Sequence, residues 1–245
     1  MISRKNLIIA LGVLSLGLSG CEETDADKIG DAQLCLDKAT SATAAACLDK
    51  IEGIETPAAY VVRCSAGFME EGFTDAQRLI DAIDQLDAGG DGTTGLMSLM
   101  AFKSKASGAL NKAFVDEVFS DCEKSKQKSL LMLGTLAKSA TTFAAIAIPG
   151  LNSGTPVSAN DIKDAIDDLL GTNGGSYTGD PTPVIQDIGS AVTATYLTTC
   201  TSGSSATSDL CTEMTNAINS AGVDINDPES VGNKILELWY ASTGQ

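Results

Sequence analysis

Apolar residues in this chain recur every three to four positions, a period that leaves few options for its fold. Ala76, Leu79, Ile80, Ile83 and Leu86 keep that spacing, with Asp75, Asp81, Asp84 and Asp87 largely on the other side. Ile162, Ala165, Ile166 and Leu169 repeat it against Asp161, Asp164 and Asp168, as do Val231, Ile235, Leu238 and Trp239 near the end. No comparable run alternates with the period of two that a half-buried strand needs. Helix punctuation falls between the stripes. Thr24 or Asp25 can cap a helix to about Lys38, and Ser41 opens another that Gly53 stops. Thr56-Pro57 sets an N-cap before a proline at the first helical position, with Gly72 beyond the end. Thr74-Asp75 opens the next helix and GGDG at 89–92 ends it. Further helices are expected at 94–105, 107–122 and 125–148, from Ser158, from Thr182-Pro183 to about Thr199, at roughly 205–220, and from Asp227-Pro228. The expected fold is all-α, a bundle of helical hairpins with about nine to ten helices.

The N-terminus is an address. Arg4 and Lys5 precede an apolar run from Leu7 to Leu18, which is too short to span a bilayer as a mature helix and has the order of a secretory signal peptide. Leu18-Ser19-Gly20-Cys21 resembles the lipobox of bacterial lipoproteins. The resemblance covers residues 1–21 and implies removal of 1–20 and acylation of Cys21. Two or three acyl chains, at about 0.8 kcal/mol per buried CH₂, anchor firmly where one chain binds only reversibly. Glu22 is not the Asp that retains many lipoproteins at the inner membrane, so the resemblance implies an outer-membrane destination in a bacterial envelope. Residues 21–28 then form the lipid anchor and an acidic tether, and residues 29–245 one all-α domain. Connectors at PGLNSGTPV and at GTNGGSYTGDPT mark 149–182 as the place where a subdomain boundary could fall.

An exported chain with six further cysteines reads as a disulfide scaffold, here of three bridges among fifteen possible pairings. Spacing narrows them. Cys35 and Cys47 lie equidistant from Ser41, and Cys200 and Cys211 flank a Ser/Thr/Gly stretch. Facing positions in antiparallel hairpins therefore pair 35–47 and 200–211, leaving Cys64–Cys122 as the long-range bridge. The tetrapeptide CLDK, at 35–38 and again at 47–50, recurs too closely for a helix-pair repeat.

Charge and residue types limit the chemistry. Setting Arg4 and Lys5 aside from 16 basic and 32 acidic residues leaves the mature chain at −18. That disfavours nucleic acid, a polyanion, as a partner. The chain has no histidine, which removes Ser-His-Asp and Cys-His catalysis and every histidine-based metal site. Ser125-Lys126-Gln127-Lys128 has the S-x-x-K spacing but looks like the solvated start of a helix. Asp87 and Asp91 sit at positions 1 and 5 of a calcium-like loop, with Gly92 at 6. Position 3 is Gly89 and position 12 is Ser98, so too few oxygens are available. Residues 125–148 are the most apolar stretch, yet Lys138 and the surrounding Ser and Thr favour a central core helix over a membrane span. No metal, cofactor or catalytic residue is expected. The expectation is a non-enzymatic, membrane-anchored envelope lipoprotein that binds or scaffolds a protein partner. The alternative is a periplasmic carrier holding a small apolar ligand or lipid in a helical cavity next to 130–148.

Overall fold

The structure is a computed structural model that describes residues 24–75, 92–172, 177, 179–200 and 208–242. Thr24 opens it. Its hydroxyl accepts the Asp27 amide while the Asp27 carboxylate accepts the Thr24 amide, and this reciprocal box starts α1 (Asp25–Leu36). A 3-10 helix (Ala45–Ile51) and α2 (Pro57–Glu70) follow, the latter capped by Thr56 with Pro57 in its first turn. Then come α3 (Gly92–Met100), α4 (Gly108–Lys124), α5 (Lys128–Ala147) and α6 (Ala159–Leu170). The chain continues through α7 (Thr182–Cys200), α8 (Ser208–Ala221) and α9 (Pro228–Ser242). Among the described residues there is no strand, as the three-to-four spacing requires. The helix expected after Thr74-Asp75 and the Asp87–Asp91 turn lie outside the described residues.

Two expected helices differ. The stretch from Ser41 to Gly53 is a turn and a 3-10 helix, because the Thr43 hydroxyl accepts the Thr40 amide and competes with helical bonding there. The helix expected at 94–105 ends at Met100, since the amides that follow bond to side chains of other elements.

Helix α5 is the hub, packed against α3, α4, α6 and α7. Every residue from Ala137 to Ala144 is buried, so this part of the helix is surrounded on all sides. By length and a mean hydropathy of 1.5 it could cross a membrane, but 61% of its apolar window is covered by the rest of the protein. One apolar cluster runs from Cys64 to Leu236 and includes Leu151 and Val157 of the 149–182 connector. A smaller cluster gathers Ile29, Leu36, Ile51 and Val62 between α1, the 3-10 helix and α2. Helix α2 serves both, with Cys64 and Phe68 on one side and Ala59, Val62 and Ala66 on the other.

All three disulfides have the pairing that spacing suggested. Cys35–Cys47, Cys64–Cys122 and Cys200–Cys211 bring their Cα atoms to 5.6, 5.0 and 5.2 Å. Small residues set the closest packing. A Cβ on Gly189 of α7 would stand 1.8 Å from the Pro228 carbonyl oxygen, and one on Gly232 of α9 would stand 2.0 Å from that of Ile185. Helices α7 and α9 therefore meet backbone to backbone.

Candidate functional site

Helix α4 has two working faces. Leu110, Phe114, Glu117, Val118 and Asp121, at helical spacing, line a cleft of about 690 Å³ whose other walls are the 3-10 helix, α2 and residues 104–106. Lys112 and Asp116 lie on the opposite side, toward α5 and α7.

The cleft holds charge of both signs over an apolar floor. Arg63 Nη2 donates to the Ile51 carbonyl at 2.9 Å, and its guanidinium stands 5.0 Å from the Tyr60 ring centroid. Lys105 donates to the Glu70 carboxylate while its ammonium sits 3.8 Å from the Phe114 ring centroid, a cation–π distance. Glu117 is exposed and Asp121 half-buried, one helical turn apart. Burial pushes the Asp121 carboxyl up; Arg63 and Lys124 pull it back, while Glu117 pushes it further. Ser104, also in the lining, keeps its hydroxyl buried with no hydrogen-bond partner.

The loop after α3 is fixed by a run of side-chain acceptors. The amide of Phe102 donates to Thr141 Oγ1 at 2.8 Å. Those of Lys103 and Ser104 donate to the two Glu71 carboxylate oxygens at 2.7 and 3.0 Å, and that of Lys105 to Asn111 Oδ1 at 2.8 Å. Asn111, fully buried, sends its Nδ2 to the carbonyls of Ser107 at 2.9 Å and Leu151 at 3.0 Å. Four consecutive amides thus leave the helical pattern and carry Ser104 and Lys105 to the cleft edge.

Behind the cleft, two lysines and two aspartates close a ring across three helices. Lys138 Nζ of α5 lies 2.6 Å from Asp187 Oδ1 of α7 and 3.1 Å from Asp116 Oδ1 of α4. Lys112 Nζ completes it at 2.8 Å from Asp116 Oδ2 and 2.7 Å from Asp187 Oδ2. Lys138 also stands 5.0 Å from the Phe119 ring centroid. Burial acts to raise the Asp187 carboxyl, but hydrogen bonds and charge from Lys112 and Lys138 win and hold it below its ordinary value. For Lys112 burial acts downward, and the two aspartates overcome it to raise the ammonium. With charges matched, the ring fastens α4, α5 and α7 together.

Three other clefts among the described residues are smaller. A mainly apolar recess among α7, α8 and α9, lined by Val192, Ile218, Val231, Ile235 and Leu238 with Lys234 among them, encloses about 70 Å³. Shallow clefts of about 200 Å³ and about 380 Å³ lie between α1 and α2 and beside Lys112 and Asp187. None of the four is lined by residues 130–148.

The residues singled out from sequence fall as follows. Cys21 lies outside the described residues; Cys35, Cys47, Cys64, Cys122, Cys200 and Cys211 are all in disulfides. Ser125 is not at a solvated helix start. It is buried at the C-cap of α4, donating to the Cys122 carbonyl at 2.6 Å and accepting the Gln127 amide, and so turns the chain into α5. Asp227 Oδ1 accepts the Glu229 amide at the start of α9. Among the described residues no three Cys, Asp or Glu side chains gather as metal ligands. The ring, Glu71 and Asn111 were not picked out by sequence reasoning. The available signal was Lys138, a lone charge in an apolar run that demands an acidic partner. No family model, curated protein or solved structure matches this chain.

Proposed function

We propose that this chain is a lipid-anchored envelope protein that binds a protein partner in the cleft between α2 and α4, without catalysing a reaction. The cleft carries the reading. At about 690 Å³ it is larger than the other three clefts, with charge of both signs over an apolar floor. Its walls are pre-set: Cys64–Cys122 joins α2 to α4, and Glu71 and Asn111 hold the third side. Pre-set walls reduce the ordering cost of association. Its lysine is committed to Glu70 and Phe114 and its serine hydroxyl touches no base, an arrangement suited to recognition rather than nucleophilic attack. The order of Leu18-Ser19-Gly20-Cys21 supports acylation at Cys21 and placement in the outer membrane of a bacterial envelope. The cleft also supports a protein partner over an apolar cargo, since the apolar recess at α7–α9 has only about 70 Å³.

Native mass spectrometry on the acylated protein, extracted gently from its own envelope, tests the reading. Ala113→Trp supplies the control, because Ala113 is exposed on α4 and lines the cleft. Extra mass from a second polypeptide, lost in the Ala113→Trp protein, is the expected result. A lipid-sized adduct indifferent to that substitution would overturn it in favour of the carrier.

A further inference from the structure

We infer that the cleft takes a basic segment of a protein partner, seating a lysine or arginine against Glu117 and Asp121 with its methylene stem along Phe114 and Val118. The inference rests on the binding reading above and adds the chemistry of what is bound. The cleft already treats one of the chain's own cations this way, holding the Lys105 ammonium between the Glu70 carboxylate and the Phe114 ring. Glu117 and Asp121 repeat half of that cradle one helical turn away. Neither is engaged in a salt bridge among the described residues; Arg63, whose Nη2 donates to the Ile51 carbonyl, and Lys124 act on Asp121 only through space.

Like charges at this spacing repel, and a cation between them reverses the sign. Asp121 is half-buried, so water screens its charge poorly. The rest of the lining excludes other ligands. Apolar Ala45, Leu48 and Leu110 cannot complete the six to eight oxygens of a calcium site. Three acids against Arg63 and a Lys105 already held by Glu70 leave the cleft net acidic, which disfavours phosphate or nucleic acid. A trough walled by three separate elements suits an extended segment better than a single small amine. A mature charge of −18 further steers cationic partners toward the surface.

The test uses a fluorescein-labelled octapeptide of alternating Lys and Ala, its Gln/Ala twin, and spermidine. Binding is read by anisotropy and by amide shifts at Gly67, Ala106 and Ala113. Glu117→Gln/Asp121→Asn is compared with Asp31→Asn/Asp164→Asn, a charge-matched change on exposed faces of α1 and α6. The Lys/Ala peptide is expected to move the three amides and to lose about tenfold in affinity in the cleft variant, against less than about twofold in the control. Equal losses in both variants, equal binding of the Gln/Ala twin, or amide shifts from spermidine but not from the peptide would each overturn the inference. The binding reading is separable. A natural partner blocked by Ala113→Trp but unmoved by Glu117→Gln/Asp121→Asn defeats the basic segment and leaves the cleft in place. A partner unmoved by Ala113→Trp defeats the cleft itself.

Discussion

Lys138 Nζ lies 2.6 Å from Asp187 Oδ1, joining the central helix to a segment nearly fifty residues further along the chain. The Lys138 side chain is 11% exposed, and its removal leaves two part-exposed aspartates facing one lysine. Lys138→Met is expected to destabilise by about 3 kcal/mol, whereas Lys138→Met/Asp187→Leu recovers most of that loss. Urea denaturation of the parent, both single variants and the double variant checks it; a double-variant loss equal to the sum of the single losses would mean that the pair is not coupled.

The ring also sets a pH window. Asp187 is lowered from 3.8, so its contribution is complete above that value and is lost as pH falls through the folded-state value below it. Lys112 is raised from 10.5, so its contribution is complete below 10.5 and is lost as pH climbs through the folded-state value above it. Asp121 has the opposite sense to Asp187: raised from 3.8 first by burial, it subtracts stability as pH rises past 3.8. Asp187→Asn should therefore be less stable than the parent at pH 7, and Asp121→Asn more stable. Both differences should shrink as pH is taken below 3.8 in urea titrations.

Two glycine substitutions of the same chemistry should part company. Gly189→Ala places a methyl 1.8 Å from the Pro228 carbonyl oxygen, where only separation of α7 and α9 makes room; a loss of about 3 kcal/mol or more is expected. Gly30→Ala in α1 meets nothing within 4 Å, and should gain about 0.5–1 kcal/mol through restricted unfolded-chain freedom. Thermal melts of both decide.

Glu71 satisfies two neighbouring amides from one buried carboxylate. Glu71→Ala is expected to cost about 2–3 kcal/mol and to speed hydrogen exchange at Lys103 and Ser104 more than elsewhere. Uniform acceleration across the protein would instead mark a global loss.

Disulfide removal should follow the loop each bridge closes. Replacing Cys64 and Cys122, 58 residues apart, by Ala is expected to cost about 4 kcal/mol, against about 3 kcal/mol for Cys35 and Cys47, 12 apart. Denaturant titration under oxidising conditions measures both.

What the sequence made legible is local chemistry. Thr24, Thr56 and Ser158 cap helices through a hydroxyl and an amide three residues on, so their position is readable from neighbours alone. Cys35–Cys47 and Cys200–Cys211 were legible for a similar reason, a hairpin turn being a short-range object, and Cys64–Cys122 followed by elimination. What stayed hidden depends on which helices meet. Lys112 and Asp187 are 75 residues apart, and nothing in either's surroundings names the other. The loop at 102–105 was read as helix because its acceptors, Glu71, Asn111 and Thr141, lie on three other elements. The cleft is hidden for the same reason: its lining is legible on α4 as a stripe, but its opposite wall is not.

Helix α1 begins at Asp25, so only Glu22, Glu23 and Thr24 separate it from Cys21. Fully extended, that stretch reaches about 14 Å, less than the roughly 17 Å radius of gyration of a domain this size. If Cys21 is acylated as proposed, so short a link would make the domain roll on the bilayer like a moored float rather than swing on a leash. Its search for the proposed partner would then be two-dimensional, confined to proteins that come down to the same surface.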